Sequence, residues 1–142
     1  MTESIDQALE ALAAEFDELV EWEDRYQHVI DLGKSLPGLS IAEQIADNRV
    51  RGCASQVWLV TEREPDGAIA FRGDSDGQIS RGIVAVLLRL YSHRTPSEIL
   101  AFDAKAAMER LGLAGALSAQ RSNGLFSMVE RIRRDAAAAT AG

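Results

Sequence analysis

This chain contains a single cysteine, Cys53, and only two histidines, His28 and His93, among its 142 residues. A structural zinc site or an iron–sulfur cluster takes about three or four Cys or His ligands. The chain offers one Cys and two His, the bare minimum of that range, so we expect it to bind no metal. A lone cysteine also cannot form a disulfide within the chain. Cys53 is therefore either a small buried hydrophobe or a reactive free thiol.

The sequence also lacks the long apolar runs of a membrane protein. No stretch approaches the roughly 18 apolar residues that a membrane span needs. The N-terminal residues include Glu3 and Asp6, where a signal or transit peptide would carry basic residues. We therefore expect a cytoplasmic protein that has no membrane partner.

Positive charge is scarce, because 15 Lys and Arg face 22 Asp and Glu and the formal net charge is −7. Nucleic-acid binding relies on clustered basic side chains, so this balance argues against nucleic acid as a partner. Arg49, Arg51 and Arg63 form a local exception. This group is either an ordinary solvated strand edge or a docking patch for a partner.

Length and apolar periodicity predict one domain, residues 1–142, that begins with two helices. The first has Ser4 as its N-cap, and the second ends near Gly33 before a turn. We expect the apolar face of each helix to be core. These faces consist of Ile5, Leu9, Leu12 and Phe16 in the first helix, and of Trp22, Tyr26, Val29 and Ile30 in the second.

Strand signals begin near residue 48, after an irregular stretch with one possible helical turn at 42–46. Residues 57–60 are apolar on both faces, and the turn at 64–67 leads to an alternation that includes Ile69 and Phe71. These signals predict a small antiparallel sheet of about three strands.

Four further helices follow the sheet. A mostly apolar run over 76–91 predicts a central buried helix, and Thr95-Pro96-Ser97-Glu98 predicts a capping box at the start of the next one. Two more are expected over 103–110 and from about residue 123, with a tail that frays from about residue 135. Helices, then a sheet, then helices make an α+β fold.

The residues around Cys53 favour a reactive thiol. Gly52 can adopt a positive φ and so present or hide the thiol on a loop, and Ser55 interrupts the apolar strand pattern at the end of that loop. Arg51, and Arg121 if the fold brings it near, would favour the thiolate over a thiol whose reference pKa is about 8.5. These neighbours make Cys53 the candidate nucleophile.

The pattern Val-x-Gly-Cys-x-Ser-Gln-Val-Trp at residues 50–58 resembles the active-site segment of the SufE/CsdE family of sulfur-acceptor proteins. The resemblance spans roughly residues 19 to 134. It continues in the same order at 22–26 with 36–37, at 73–76, at 95–96 with 102–103, and at 121–125.

The resemblance implies a SufE-like fold, similar to the IscU-type iron–sulfur scaffold fold, and an acceptor of persulfide sulfur. Cys53 would form the persulfide, Gly52 and Ser55 would shape its loop, and Arg121 matches the family's Arg-Ser-x-Gly-Leu block. The implied partners are a pyridoxal-phosphate-dependent, SufS-like cysteine desulfurase, which the chain would stimulate, and a downstream iron–sulfur scaffold complex. The chain itself would need no cofactor, and it would act as a transpersulfuration partner rather than as a stand-alone enzyme.

Three alternatives remain open from the sequence. The chain could be a CsdE-like acceptor that serves a different desulfurase. It could be a single-cysteine peroxidase or redox sensor, although Ala54 stands where a polarising threonine would help. It could also be a docking module that activates its partner by contact, in which case Cys53 would be dispensable.

Overall fold

The computed structural model describes residues 3–53, 55–113 and 117–141. In these ranges six α-helices flank one β-hairpin, which confirms the α+β class. The helices are α1 (Ile5–Asp17), α2 (Trp22–Lys34), α3 (Gln78–Tyr91), α4 (Pro96–Ala101), α5 (Ala104–Arg110) and α6 (Ala119–Ala141). The strands are β1 (Val57–Arg63) and β2 (Ile69–Ser75), and two 3₁₀ turns (Ile41–Glu43 and Ala46–Asn48) precede them.

The sheet has two strands within the described residues, not the expected three. β1 and β2 pair antiparallel from Val57↔Ser75 to Arg63↔Ile69. The segment before β1 contributes only an isolated bridge between Arg49 and Trp58. The 3₁₀ turn that ends at Asn48 and the left-handed backbone of Gly52, with φ +91°, bend this segment out of register and prevent a third strand.

The hairpin turn follows from its sequence. Asp66 accepts a hydrogen bond from the backbone N–H of Ala68 through Oδ1 at 3.0 Å, and Gly67 adopts φ +91°. Both are ordinary turn devices. Alternate residues of β2 are buried, beginning with Ile69 and Phe71. One face of the hairpin therefore joins the core, as the alternation predicts.

Helix α3 lies at the centre of the core. Eight of its residues are buried, including Leu87 and Leu90 with no measurable exposure. The helix packs on α1, α2, α6 and β2. Such a wide apolar face buries well only where several elements surround it, so α3 organises the rest of the molecule.

Helices α2 and α3 cross in nearly direct backbone contact at Gly33 and Gly82. A Cβ built on Gly82 would lie 2.2 Å from the carbonyl oxygen of Val29, and one built on Gly33 would lie 2.7 Å from the backbone nitrogen of Gly82. Only glycine fits at such a separation. The two glycines, which weaken helices in isolation, therefore permit this close packing.

The helix caps agree with the sequence. Ser4 and Gln7 form a capping box at α1. Thr95 and Glu98 form another at α4, where Pro96 is the first helical residue. In each box the hydroxyl accepts from an N–H that would otherwise lack a partner, so both helix starts are locally determined.

Three expectations about the helices are wrong. Trp22 is 57% exposed because it is the first residue of α2, beyond the edge of the core, where its ring meets Tyr26 edge-on. α6 begins at Ala119, four residues before its expected start at Asn123. The tail that we expected to fray continues α6 to Ala141, because Ala136 is fully buried and ties this last part to the core.

Among the described residues, no helix has both the length and the apolar character to cross a membrane.

The variant Gly82→Ala tests the α2–α3 crossing. Alanine gains about 1 kcal/mol over glycine within a helix, so the variant would be stabilised if the crossing were loose. We expect instead a net loss of about 2 kcal/mol, because the new methyl overpacks against a backbone carbonyl. Urea unfolding followed by circular dichroism measures the sign of the change in the free energy of unfolding.

The matched control is Gly124→Ala in α6. A Cβ there would make ordinary contacts, the nearest at 3.6 Å from the Cys53 Sγ. This variant should be neutral or slightly stabilised. Equal stabilisation of both variants would contradict the close crossing.

Candidate functional site

Cys53 lies on a short loop between the second 3₁₀ turn and β1, and its thiol is half-buried. The Sγ donates a weak hydrogen bond to the carbonyl oxygen of Gly124 in α6, at 3.5 Å. The residue packs against the edge of the hydrophobic core. The thiol is thus turned toward the protein rather than toward solvent.

Small residues of α6 allow the loop to lie directly on the helix. Gly52 has φ +91°, and a Cβ on it would lie 2.5 Å from the Ser127 Oγ. A Cβ on Gly124 would lie 3.8 Å from the Cα of Cys53. The predicted role of Gly52 in shaping the loop therefore has a geometric basis, both in its positive φ and in the closeness of α6.

The end of the loop is fixed to the start of α3. The Gln56 N–H donates to Asp76 Oδ1 at 2.9 Å, and the Ser75 hydroxyl donates to the Gln56 carbonyl oxygen at 2.7 Å. Ser55 packs beside Gly77, where an added Cβ would lie 2.5 Å from its Oγ. These contacts hold the end of the loop.

Two hollows meet at Cys53. An open cleft of about 600 Å³ lies on the outer side, lined by Gln44, Ile45, Ala46, Arg49, Val50, Arg51, Gly52, Cys53, Gln56 and Trp58. A smaller and more enclosed cavity of about 130 Å³ lies on the inner side, lined by Cys53, Ser55, Ser80, Ile83, Gln120, Arg121, Gly124 and Met128. Cys53 therefore lines both hollows.

Burial raises the pKa of the Cys53 thiol, and the positive charge of Arg49 opposes this shift only in part. We expected Arg51 and Arg121 to supply the stabilising charge, and for both residues this stays a prediction. Arg51 is exposed. Arg121 donates to the Tyr26 hydroxyl and lies 5.5 Å from the centre of its ring, although it still lines the inner cavity.

The sequence did not indicate that Arg49 is the arginine that lowers the pKa of Cys53. Arg49 is four positions before Cys53, and sequence proximity favoured Arg51 instead. Arg49 is held at its backbone by the 3₁₀ turn that it caps and by the bridge to Trp58. The charge cluster of Arg49, Arg51 and Arg63 was the available signal, but it did not distinguish among its members.

The described part of the chain contains no group of three or more His, Cys, Asp or Glu side chains arranged to hold a metal ion. His28 contacts Glu15 through Nε2 at 3.0 Å, and His93 contacts Glu64 through Nδ1 at 2.8 Å. Each histidine thus pairs with a carboxylate away from Cys53. The site therefore consists of the Cys53 thiol, the outer cleft and the positive charge of Arg49, which acts to lower the pKa of the thiol.

The fold is shared with a protein of known structure. The solution structure of a hypothetical protein from Thermus thermophilus superposes with a TM-score of 0.74, covers 97% of this chain and 96% of its own, and is 16% identical in sequence. At that identity the likeness concerns the fold alone. It places the chain among α+β proteins of this architecture.

Sequence comparison identifies the family. Residues 10–136 match SufE, the Fe-S metabolism associated domain. An uncharacterised SufE-like protein of Rhizobium etli is 50% identical over 132 residues, which cover 91% of this chain and 89% of that protein. A second, from Rhizobium meliloti, is 45% identical over 132 residues, with 91% and 94% covered. The chain belongs to the SufE family, and its role lies in iron–sulfur metabolism.

The variant Arg49→Gln tests the electrostatic assignment. Removing the guanidinium removes the influence that lowers the pKa of Cys53, so this pKa should rise further. The pH profile of Cys53 alkylation should move to higher pH, while the plateau rate at alkaline pH should stay the same if access is unchanged. Iodoacetamide labelling followed by intact mass gives both quantities.

The matched control is Arg51→Gln, which removes an equal charge from the same loop. Its alkylation midpoint should stay close to that of the unaltered protein. If Arg51→Gln moves the midpoint and Arg49→Gln does not, the assignment to Arg49 is wrong.

Proposed function

We propose that this protein is a cytoplasmic sulfur acceptor that receives persulfide sulfur on Cys53 from a cysteine desulfurase, stimulates that enzyme and relays the sulfur to iron–sulfur cluster assembly. The observation that carries the proposal is the placement of the chain's single thiol. It is half-buried on a loop that is anchored at its end and lies between an inner cavity and an open cleft.

The chemical step requires only the thiol. The Cys53 thiolate attacks the terminal sulfur of the donor's persulfide, an S–S bond forms to Cys53, and the donor's own S–S bond breaks. The electron pair of the broken bond stays on the donor cysteine, which leaves as a thiolate. The terminal sulfur keeps its proton when it is transferred to Cys53. One persulfide is consumed and one is formed, so no oxidant or reductant is needed.

The breakage of the C–S bond of free cysteine belongs to the donor. In the proposed pairing the desulfurase is a pyridoxal-phosphate enzyme, and its cofactor supplies that chemistry. The acceptor contributes a nucleophile and a surface that brings two sulfur atoms together. A carrier of this kind is an enzyme's partner rather than a stand-alone enzyme, and an iron–sulfur scaffold complex is the proposed downstream recipient.

The inner cavity suits a sheltered product. Ile83 and Met128 provide apolar walls, and the hydroxyls of Ser55 and Ser80 line the same space. A persulfide held there would be kept from glutathione and oxidants, which would otherwise attack an exposed sulfane sulfur. We propose that the loop turns Cys53 inward between transfers and outward when the donor docks.

Two rival functions make different demands on Cys53. A peroxidase or redox sensor needs a readily ionised and accessible thiol at rest, whereas burial raises the pKa of this one. A docking module would need no thiol at all. A CsdE-like acceptor would use the same chemistry with a different desulfurase, so the choice between donors is a matter of binding partner.

The variant Cys53→Ser tests the relay. Mixed with a SufS-type cysteine desulfurase and L-cysteine, the unaltered protein should gain the mass of one sulfur atom on Cys53, and the serine variant should gain none. Stimulation of the desulfurase should also be lost, because a serine oxygen cannot replace the thiolate in sulfur exchange. Full stimulation by Cys53→Ser with an intact fold would instead support a docking module.

Loop movement on docking is tested by amide hydrogen exchange with and without the same desulfurase. Exchange in the region 49–55 should be faster than in the strand at 57–60 in the free protein, because the strand is hydrogen-bonded and buried. Binding should change exchange in the loop and leave the strand as it was. The alkylation rate of Cys53 in the two states completes the measurement, and equal reactivity with unchanged exchange would refute the sheltering mechanism alone.

A further inference from the structure

A second cleft, of about 390 Å³, lies beside the Cys53 loop and is lined by four arginines. Arg49 and Arg51 come from the loop, and Arg131 and Arg134 come from α6. This cleft, which we name the arginine cleft, adjoins the outer cleft at Cys53 because residues 49–51 line both. Arg49 and Arg131, which are 82 positions apart in sequence, thus meet next to the reactive thiol.

Arg131 has a structural role in this cleft. Its Nη2 and Nη1 donate to the carbonyl oxygens of Asp47 and Arg49 at 2.9 and 3.3 Å, and its Nε contacts Asp135 at 3.2 Å. The guanidinium therefore ties the 3₁₀ turn before the loop to α6. Its donors are occupied, so it fixes the wall of the cleft and leaves little capacity for a ligand.

The other three arginines are available. Arg134 is 71% exposed and approaches a single carboxylate, that of Asp135, at 3.6 Å. Arg49 and Arg51 are exposed, and neither forms an ion pair with any residue that the structure describes. Asp47 and Glu130 are the carboxylates that line the cleft. The four arginines outnumber the two carboxylates of the lining, in a chain whose formal net charge is −7.

We infer that the arginine cleft binds an acidic surface segment of the sulfur-donating desulfurase. This inference rests on the proposed function. Guanidinium groups pair with carboxylates through two parallel hydrogen bonds, so several arginines at a rim recognise a carboxylate-rich segment. The negative charge of the rest of the chain would repel such a segment elsewhere and guide it to this place. The same charge disfavours nucleic acid as the occupant.

The position of the cleft gives the contact a further effect. Arg49 and Arg51 belong to the same stretch of chain as Cys53, whereas Arg134 belongs to α6, the helix on which that stretch lies. A segment that contacts arginines of the loop and Arg134 at the same time binds both the loop and the helix on which the loop lies. Recognition of the donor is thereby linked to the part of the chain that must move for the two sulfur atoms to meet.

The test is charge reversal at two exposed arginines of the cleft, Arg51→Glu with Arg134→Glu, which leaves Arg49 and the structural Arg131 unchanged. At low ionic strength, stopped-flow association with a SufS-type desulfurase should slow by about 10-fold or more, and the difference should shrink in high salt. The matched control is Lys34→Glu with Lys105→Glu. It changes the net charge equally at two exposed residues outside the cleft, and it should show a much smaller loss.

Arg51→Gln with Arg134→Gln keeps the test valid if charge reversal disturbs folding, and it should give an intermediate loss. Association of the Gln variant at the unaltered rate, with an unaltered salt dependence, would overturn the proposal. The proposal would also be overturned if the unaltered protein bound a short DNA duplex through these arginines and did not bind the desulfurase. Failure of transfer in the unaltered protein would count against the proposed function instead.

Discussion

The close crossing of α2 and α3 determines where the reactive loop can lie. Gly33 and Gly82 allow the two backbones nearly to touch, which buries α3 at the centre of the molecule. The start of α3 is thereby fixed, and with it Asp76, whose carboxylate accepts from the backbone of Gln56 at the end of the Cys53 loop. A bulkier residue at the crossing would shift α3 and so move the anchor of the loop. Helix α3 thus connects the crossing to the anchor at the end of the loop.

The other support of the loop comes from α6. Gly124 accepts the Sγ hydrogen bond and Ser127 lies against Gly52, so the helix provides a flat surface for the backbone around Cys53. Arg131 adds a tie to the turn before the loop. The resting conformation is therefore defined by weak contacts around the thiol and by stronger ones at a distance from it. Such a distribution permits local movement without general unfolding.

Local signals allowed most of the fold to be predicted from sequence. The caps at Ser4 and Thr95 depend on residues three positions apart, and the hairpin turn depends on Asp66 and Gly67. The errors lie where distant residues decide the outcome. The strand expected near residue 48 became a single bridge because the chain bends to reach α6, and the family pattern located Cys53 without showing which arginine acts on it. That assignment depends on a fold that joins residues 49–53 to residues 124–131, which no local pattern encodes.

The raised pKa of Cys53 supports the proposed carrier over a redox sensor. In the resting conformation burial favours the neutral thiol, which reacts slowly with peroxide and disulfides. Movement of the loop into the outer cleft would remove that burial, and the pKa would fall toward its ordinary value while Arg49 continued to favour the thiolate. Exposure and activation would then be a single event, and no separate general base would be required. A sensor would need the opposite arrangement, with an ionised thiol at rest, so the electrostatics of the loop favour a thiol that becomes reactive when its partner is present.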